Sequence, residues 1–178
     1  RALLGKAYLA AGRFFSAKQA FADALQLDAG QPGVALNLAL ATTATGDFSA
    51  AQEVLQANAG SISAADRGLA VALAGNPAAA VEILLPAARG TDSDAKTRQN
   101  LALAFALAGH WPEARQVALA DLSPADVDAR IEQWAAFARP TAASDQVASL
   151  LGVTPVADSG LPVRLALNAS PVQTAAVA

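Results

Sequence analysis

The 178-residue chain contains no cysteine and one histidine, His110. The missing thiols exclude a disulfide framework and any cysteine-ligated zinc or iron–sulfur site, and they leave the redox compartment open. A lone histidine rules out a site built from several imidazoles. The sequence also lacks the G-x-S-x-G, H-E-x-x-H and phosphate-loop patterns. We therefore expect no catalytic residue, no cofactor and no metal, and we expect that the protein is not an enzyme.

The chain has few charges and no long apolar run. Charged residues make up 15% of it, and the net charge is −3. Because no cluster of basic residues alternates with aromatic ones, the footprint of a nucleic-acid-binding protein is missing. The longest apolar run, 101–108, is eight residues, whereas a bilayer-spanning helix needs about 20. We expect neither nucleic-acid binding nor a transmembrane segment in this chain.

A spacing of the form Gly-x-(aromatic or Pro)-x-x-Ala occurs four times. Its glycines are separated by 34, 29 and 34 residues, and they are Gly12, Gly46, Gly75 and Gly109. Glycine ends a helix by adopting a left-handed conformation, and the small alanine suits a close helix crossing. A repeat of 34 residues is typical of helix–turn–helix units that stack into an α-solenoid.

This frame predicts an all-α solenoid of four helix pairs followed by a cap. The predicted helices cover 1–11 and 15–27, 32–44 and 48–58, 64–74 and 77–88, and 93–108 and 112–120. We divide the chain into a solenoid over 1–120, capping helices over 121–152, and an extended or disordered tail over 153–178. The tail prediction includes an extended segment over 161–167 and disorder in the last ten residues.

The 29-residue interval predicts one shortened unit. Ser63 followed by Asp66 is typical of a helix N-cap with an acidic third residue, so the third unit begins late. Arg67 occupies a position where a buried leucine is usual. We expect altered packing between the second and third units.

The cap begins at Ser123-Pro124-Ala125-Asp126, which is typical of a helix start. Its helix carries Ile131 and Trp134 on one face, and a short helix over 143–151 ends at Gly152. Trp111 and Trp134 are interpreted as core residues, and His110 as a solvated turn residue. The acidic stretch Asp121, Asp126, Asp128 and Glu132 is interpreted as a solvated face that favours the positive helix end.

The repeat resembles the tetratricopeptide family over about residues 1–120. In the first unit the family signature falls on Leu4, Gly5, Tyr8, Ala17, Phe21, Ala24, Leu25 and Leu27. The resemblance implies a concave groove lined by the first helix of each unit, where an Asn often hydrogen-bonds a bound peptide. Asn37 and Asn100 occupy that place, 63 residues apart.

The resemblance places a set of residues on the wall of the groove. They are Lys6, Leu36, Asn37, Leu40, Thr43, Lys96, Gln99, Asn100 and Leu103. Because leucines stand where the family's carboxylate clamp needs polar groups, we expect an apolar helix or an extended segment as ligand. The alternative for Asn37 and Asn100 is that each packs between adjacent units.

The C-terminal part resembles the TadD-type proteins of Tad (Flp) pilus assembly. The stretches that carry this resemblance are 130–140, 145–155 and 162–167. It implies an outer-membrane-associated periplasmic lipoprotein that helps a secretin or another pilus component to assemble. No lipid-bearing cysteine is present, and Arg1 already lies in the first repeat, so the chain is interpreted as part of a longer protein. Without the pilus resemblance a cytoplasmic location is expected.

Two hypotheses of function stay open at this point. In the first, the chain is a pilotin-like assembly factor whose groove binds a pilus-machine segment. In the second, it is a general or self-associating scaffold whose own C-terminal tail fills the groove. An enzyme subunit with a regulatory repeat module is rejected for lack of a catalytic constellation. The sequence leaves the oligomeric state and the partner's identity open.

Overall fold

The computed structural model describes residues 1–139, 142–165 and 167. This part of the chain contains ten α-helices, one 3₁₀ turn and no strand. The helices are α1 (Ala2–Ala10), α2 (Phe14–Leu27), α3 (Pro32–Ala44), α4 (Phe48–Ala57), α5 (Ala64–Leu73), α6 (Pro77–Arg89), α7 (Ala95–Leu107), α8 (Trp111–Ala118), α9 (Pro124–Phe137) and α10 (Ala143–Leu151), and the 3₁₀ turn is Val163–Leu165.

Helices α1 to α8 form the four expected pairs, and the fold is a tetratricopeptide-like α-solenoid. The four repeat glycines have φ values of 68°, 84°, 80° and 81°, a region that L-residues with a Cβ rarely enter. The alanine that follows each by five residues is fully buried, at 0% exposure. The glycine therefore makes the turn, and the alanine allows the two helices to approach.

The first helix of each later pair packs against both helices of the pair before it. Thus α3 contacts α1 and α2, α5 contacts α3 and α4, and α9 contacts α7 and α8 in the same way. Trp134 of α9 is buried in a cluster with Leu103 and Val127. Helix α9 covers the apolar end of the fourth pair, which is the role that a capping helix has in a solenoid.

The shortened third unit begins as the sequence predicts. Ser63 is the N-cap of α5, and its hydroxyl accepts a hydrogen bond from the Asp66 N–H at 3.1 Å. Arg67 lines a pocket of about 580 Å³ between α4, α5 and α6. Its Nε is buried and has no hydrogen-bond partner among the described residues. The guanidinium thus replaces a packed apolar side chain, and the space beside it stays open.

After α9 the chain reverses. Helix α10 packs against α3 instead of lengthening the stack, and residues 154–165 and 167 lie along α2 and the start of α1. Residues 163–165 are not extended as expected, because the Leu165 N–H donates to the Pro162 carbonyl at 2.7 Å and closes a 3₁₀ turn. The predicted disorder of the last ten residues falls outside the described residues. The three-part domain division stays a prediction.

Candidate binding groove

The inner face of the solenoid carries an open pocket, which we call the inner pocket. Its volume is about 750 Å³, and its walls come from α5, α7, α9 and α10. The apolar lining includes Leu69, Leu103, Trp134 and Phe137. Because α5 and α7 are the first helices of their units and α9 continues the stack in the same way, the pocket lies on the side where the family resemblance implies a ligand groove.

Three of the predicted groove residues lie together in this pocket, namely Gln99, Asn100 and Leu103 of α7. The side chain of Asn100 donates from Nδ2 to the Ala65 carbonyl of α5 at 3.0 Å. One amide hydrogen of Asn100 thus joins adjacent units, which is the alternative role considered for it. Its Oδ1 is still available to accept from a ligand, since a side-chain amide offers both donors and an acceptor.

The predicted residues of α3 are separated from that pocket. Leu40 and Thr43 are buried, and Leu36 and Asn37 are half-buried. Helix α10 packs against α3, and Val147 and Ala148 of α10 belong to the same apolar cluster as Leu40. The chain itself therefore occupies the part of the inner face that α3 provides. The side chain of Asn37 makes no direct hydrogen bond within the described part of the chain.

The two predicted lysines lie outside the inner pocket. Lys6 is exposed on α1. Lys96 is exposed at the start of α7, where its Nζ pairs with Asp66 of α5 at 2.5 Å. This pair joins the third and fourth units, so Lys96 contributes to packing between units. The structure therefore divides the predicted wall among an open pocket, an occupied helix and two surface positions.

The inner pocket carries two arginines without carboxylate partners. Arg130 has its guanidinium 6.0 Å from the ring centre of Trp134, a cation–π arrangement, and Arg139 is exposed at the rim. Within the described ranges neither has a carboxylate oxygen within 4 Å. By contrast, Arg98 pairs with Asp121 at 2.5 Å. The pocket thus combines an apolar floor, side-chain amides, two arginines and the carboxylate of Asp145.

Asp158 is a functional candidate that the sequence analysis missed. Its carboxylate is 2% exposed and accepts from the Ser16 N–H at 2.6 Å, the Ser16 hydroxyl at 2.7 Å and Arg13 Nη2 at 3.2 Å. Burial opposes ionisation of this carboxyl, but the hydrogen bonds from Ser16, Gly160 and Arg13 outweigh it and lower its pKa. The Asp-x-Gly pattern at 158–160 is typical of an Asx turn, but it does not reveal the partners on α2.

The remaining candidates have structural roles. His110 is exposed in its turn and packs edge-on near Phe105, with ring centres 6.3 Å apart. In the acidic stretch, Asp126 bonds to Ser123, while Asp128 pairs with Arg115. Trp134 is buried as expected, whereas Trp111 is only half-buried. None of these contacts assembles a catalytic pair.

Among the comparisons with known proteins, one found a match, and it is to a family model. The model of the tetratricopeptide repeat matches residues 8–58, from within α1 to the end of α4. The match supports the tetratricopeptide family for this segment, which is under a third of the chain, and that repeat is generally a protein-interaction module. No curated protein and no solved structure matches the chain significantly.

Two further findings concern the described residues only. Within them no helix combines the length and the apolar character needed to cross a bilayer. The same residues contain no cluster of three or more His, Cys, Asp or Glu side chains that could hold a metal ion.

Proposed function

We propose that the chain is a non-catalytic scaffold that binds a segment of another protein in its inner pocket. The observation that carries this proposal is the pocket itself, which is open, lies on the inner face of a tetratricopeptide-like solenoid and is lined by apolar and amide side chains. Apolar side chains supply affinity, and amides such as Asn100 and the exposed Gln133 can bond the backbone of an extended or helical ligand.

A finer proposal places this scaffold in Tad (Flp) pilus assembly. It rests on the resemblance of residues 130–167 to TadD-type proteins. On this proposal the chain acts in the periplasm, associated with the outer membrane, and binds a secretin or another pilus component. The unpaired Arg130 and Arg139 favour a partner segment that carries a carboxylate beside its apolar side chains.

The test uses two matched glutamine substitutions. Gln133 is exposed and lines the inner pocket, whereas Gln116 is exposed on α8 outside it. We expect Gln133→Trp to lower binding of the purified pilus secretin at least about tenfold, because the indole fills space that the partner needs. Gln116→Trp should leave binding unchanged. Isothermal titration calorimetry measures both, and circular dichroism checks that the helices remain.

The outcomes separate the scaffold from the pilus assignment. Loss of binding with Gln133→Trp alone supports both. If the secretin and the other pilus components do not bind the wild-type chain, the pilus assignment is wrong. If a partner binds and Gln133→Trp does not weaken it, the inner pocket is not the binding site.

A second candidate function is a scaffold whose groove is filled by its own C-terminal part. The packing of α10 against α3 favours it, since Val147 and Ala148 cover apolar surface that a ligand would otherwise contact. The filling element is the helix rather than the predicted segment 161–167, whose described residues 161–165 and 167 lie beside α2. If this second function is correct, a partner can bind only after α10 moves away from α3. Substitutions that weaken the contact between α10 and α3 should then strengthen partner binding.

A further inference from the structure

One side of α2 and the turn before it carry a row of polar groups that hydrogen-bond the C-terminal part of the chain. We call this row the α2 edge and define it by Gly12, Arg13, Ser16, Gln19 and Asp23. Ser16, Gln19 and Asp23 share one helical face by their spacing. On the other side of α2, Lys18 pairs with Asp47 of the second unit at 3.1 Å. The α2 edge therefore lies on the side of the first unit that is turned away from the second unit.

Residues 153–161, which we call the C-terminal segment, lie along this edge. The Val156 N–H donates to the Gly12 carbonyl at 3.0 Å, and the Leu161 N–H donates to Gln19 Oε1. Both bonds are made by main-chain N–H groups of the segment and not by its side chains. Main-chain bonds of this kind give affinity for an extended peptide without regard to most of its sequence.

One side chain of the segment, that of Asp158, is bound by several donors at once. The Asp158 carboxylate takes the Ser16 N–H, the Ser16 hydroxyl and the Arg13 guanidinium, and Ser16 is itself fully buried. Charge-assisted bonds to a carboxylate are stronger than neutral ones. An asparagine at this place would keep one acceptor oxygen, lose the charge, and turn its NH₂ group toward these donors.

The edge is also shaped for a close backbone. A Cβ added at Gly12 would lie 1.9 Å from the Thr154 carbonyl oxygen, so only glycine allows the segment to approach. Most side chains of the segment are nevertheless exposed, including Thr154, Pro155 and Val156. Since little apolar surface is buried, hydrogen bonds and the aspartate hold the segment, and such a contact can be exchanged.

We propose that the α2 edge is a recognition site for an extended peptide that carries an aspartate, and that residues 153–161 are its resident ligand. This surface is distinct from the inner pocket, so the inference goes beyond the proposed function and does not depend on it. When the resident segment is released, the same donors accept an aspartate-bearing segment supplied in trans.

The first experiment uses the full chain with Asp158→Ala, which empties the aspartate position. A fluorescent peptide of residues 152–162 is titrated against it by anisotropy, beside the same peptide with Asp158→Asn. We expect the aspartate peptide to bind at least about tenfold more tightly. The wild-type chain should bind it more weakly than Asp158→Ala does, because its tethered segment competes at high effective concentration. Equal binding of both peptides, or none, overturns the proposal.

The second experiment keeps Asp158 and uses two glycine variants. Gly12→Ala brings a Cβ into the Thr154 carbonyl, whereas Gly75→Ala has a similar positive φ with nothing within 4 Å. Both variants strain a turn, but only Gly12→Ala should raise amide hydrogen exchange at Val156 and Leu161, by at least about tenfold. If both variants leave these amides protected, the edge does not bind the segment through this close approach, and the proposal fails.

Discussion

At the scale of single residues, the alanine five residues after each repeat glycine decides how closely the two helices of a pair pack. Ala51 on α4 is fully buried where α4 crosses α3. We expect Ala51→Leu to lower the free energy of unfolding by about 1–3 kcal/mol, because the added atoms push the helices apart. Thermal unfolding followed by circular dichroism measures this. Ala7→Leu, on the exposed face of α1, is the control and should melt like the wild type; a stable Ala51→Leu would contradict the frame.

Residue roles were predictable where the partner lies close in sequence. The caps at Ser63 and Ser123 follow from a hydroxyl and an acid three residues later, and the structure confirms both. The role of Asp158 was not predictable, since Ser16 lies 142 residues away. For Asn100, the repeat spacing predicted the correct helix, but it did not identify the Ala65 carbonyl as the hydrogen-bond partner.

At the scale of elements, helix boundaries came from local signals, but the position of α10 did not. Its sequence predicts a helix that ends at Gly152, and the structure agrees, with φ of 66° at that glycine. Nothing local says that it returns to α3. The surface that it covers belongs to the second unit, more than 100 residues earlier, so no local signal specifies the contact.

The contact between α10 and α3 can be tested by one buried charge. Val147 is fully buried, while Ser149 on the same helix is exposed. We expect Val147→Asp to detach α10, since an unpaired carboxylate cannot remain in an apolar cluster. Hydrogen exchange should then rise in α10 and on the facing side of α3, while α5 to α8 stay protected. Ser149→Asp should change neither, and protection of α10 in Val147→Asp would contradict this packing.

At the scale of the whole molecule, the chain is held in a closed arrangement by contacts between distant parts. The guanidinium of Arg1 donates to the Leu165 carbonyl and pairs with Asp23 at 3.6 Å. The carboxylate of Asp23 also accepts from the Leu167 N–H at 3.2 Å. Together with the contacts of Asp158, these contacts join the two ends of the described chain. The repeat spacing therefore accounts for the stacking of the helix pairs, and Asp23 and Asp158 account for the attachment of the C-terminal part to the first unit.

The hydrogen bonds and ion pairs of the aspartates predict how the stability of the fold depends on pH. The pKa values of Asp47, Asp66, Asp94, Asp121 and Asp158 are all lowered from 3.8. For Asp121 the main cause is its hydrogen bond with Arg98, and for Asp158 hydrogen bonds prevail over burial. A carboxyl with a lower pKa in the folded state stabilises it above the unfolded value of 3.8, and that contribution is lost as the pH falls through the folded pKa.

We therefore expect the melting temperature to stay nearly constant between about pH 5 and pH 7 and to fall steeply below about pH 4. Repulsion among the 12 lysines and arginines adds to the fall once the carboxylates are neutral. Asp158→Asn should melt below the wild type at about pH 6, and the difference should shrink as the pH falls below 3.8 through the lowered folded pKa of Asp158, because the carboxyl then takes up a proton and loses its charge. Glu82→Gln, an exposed position outside the ion pairs of the described residues, should follow the wild type throughout. Differential scanning calorimetry measures all three, and a difference that grows on acidification would show that the Asp158 carboxylate does not stabilise the closed arrangement.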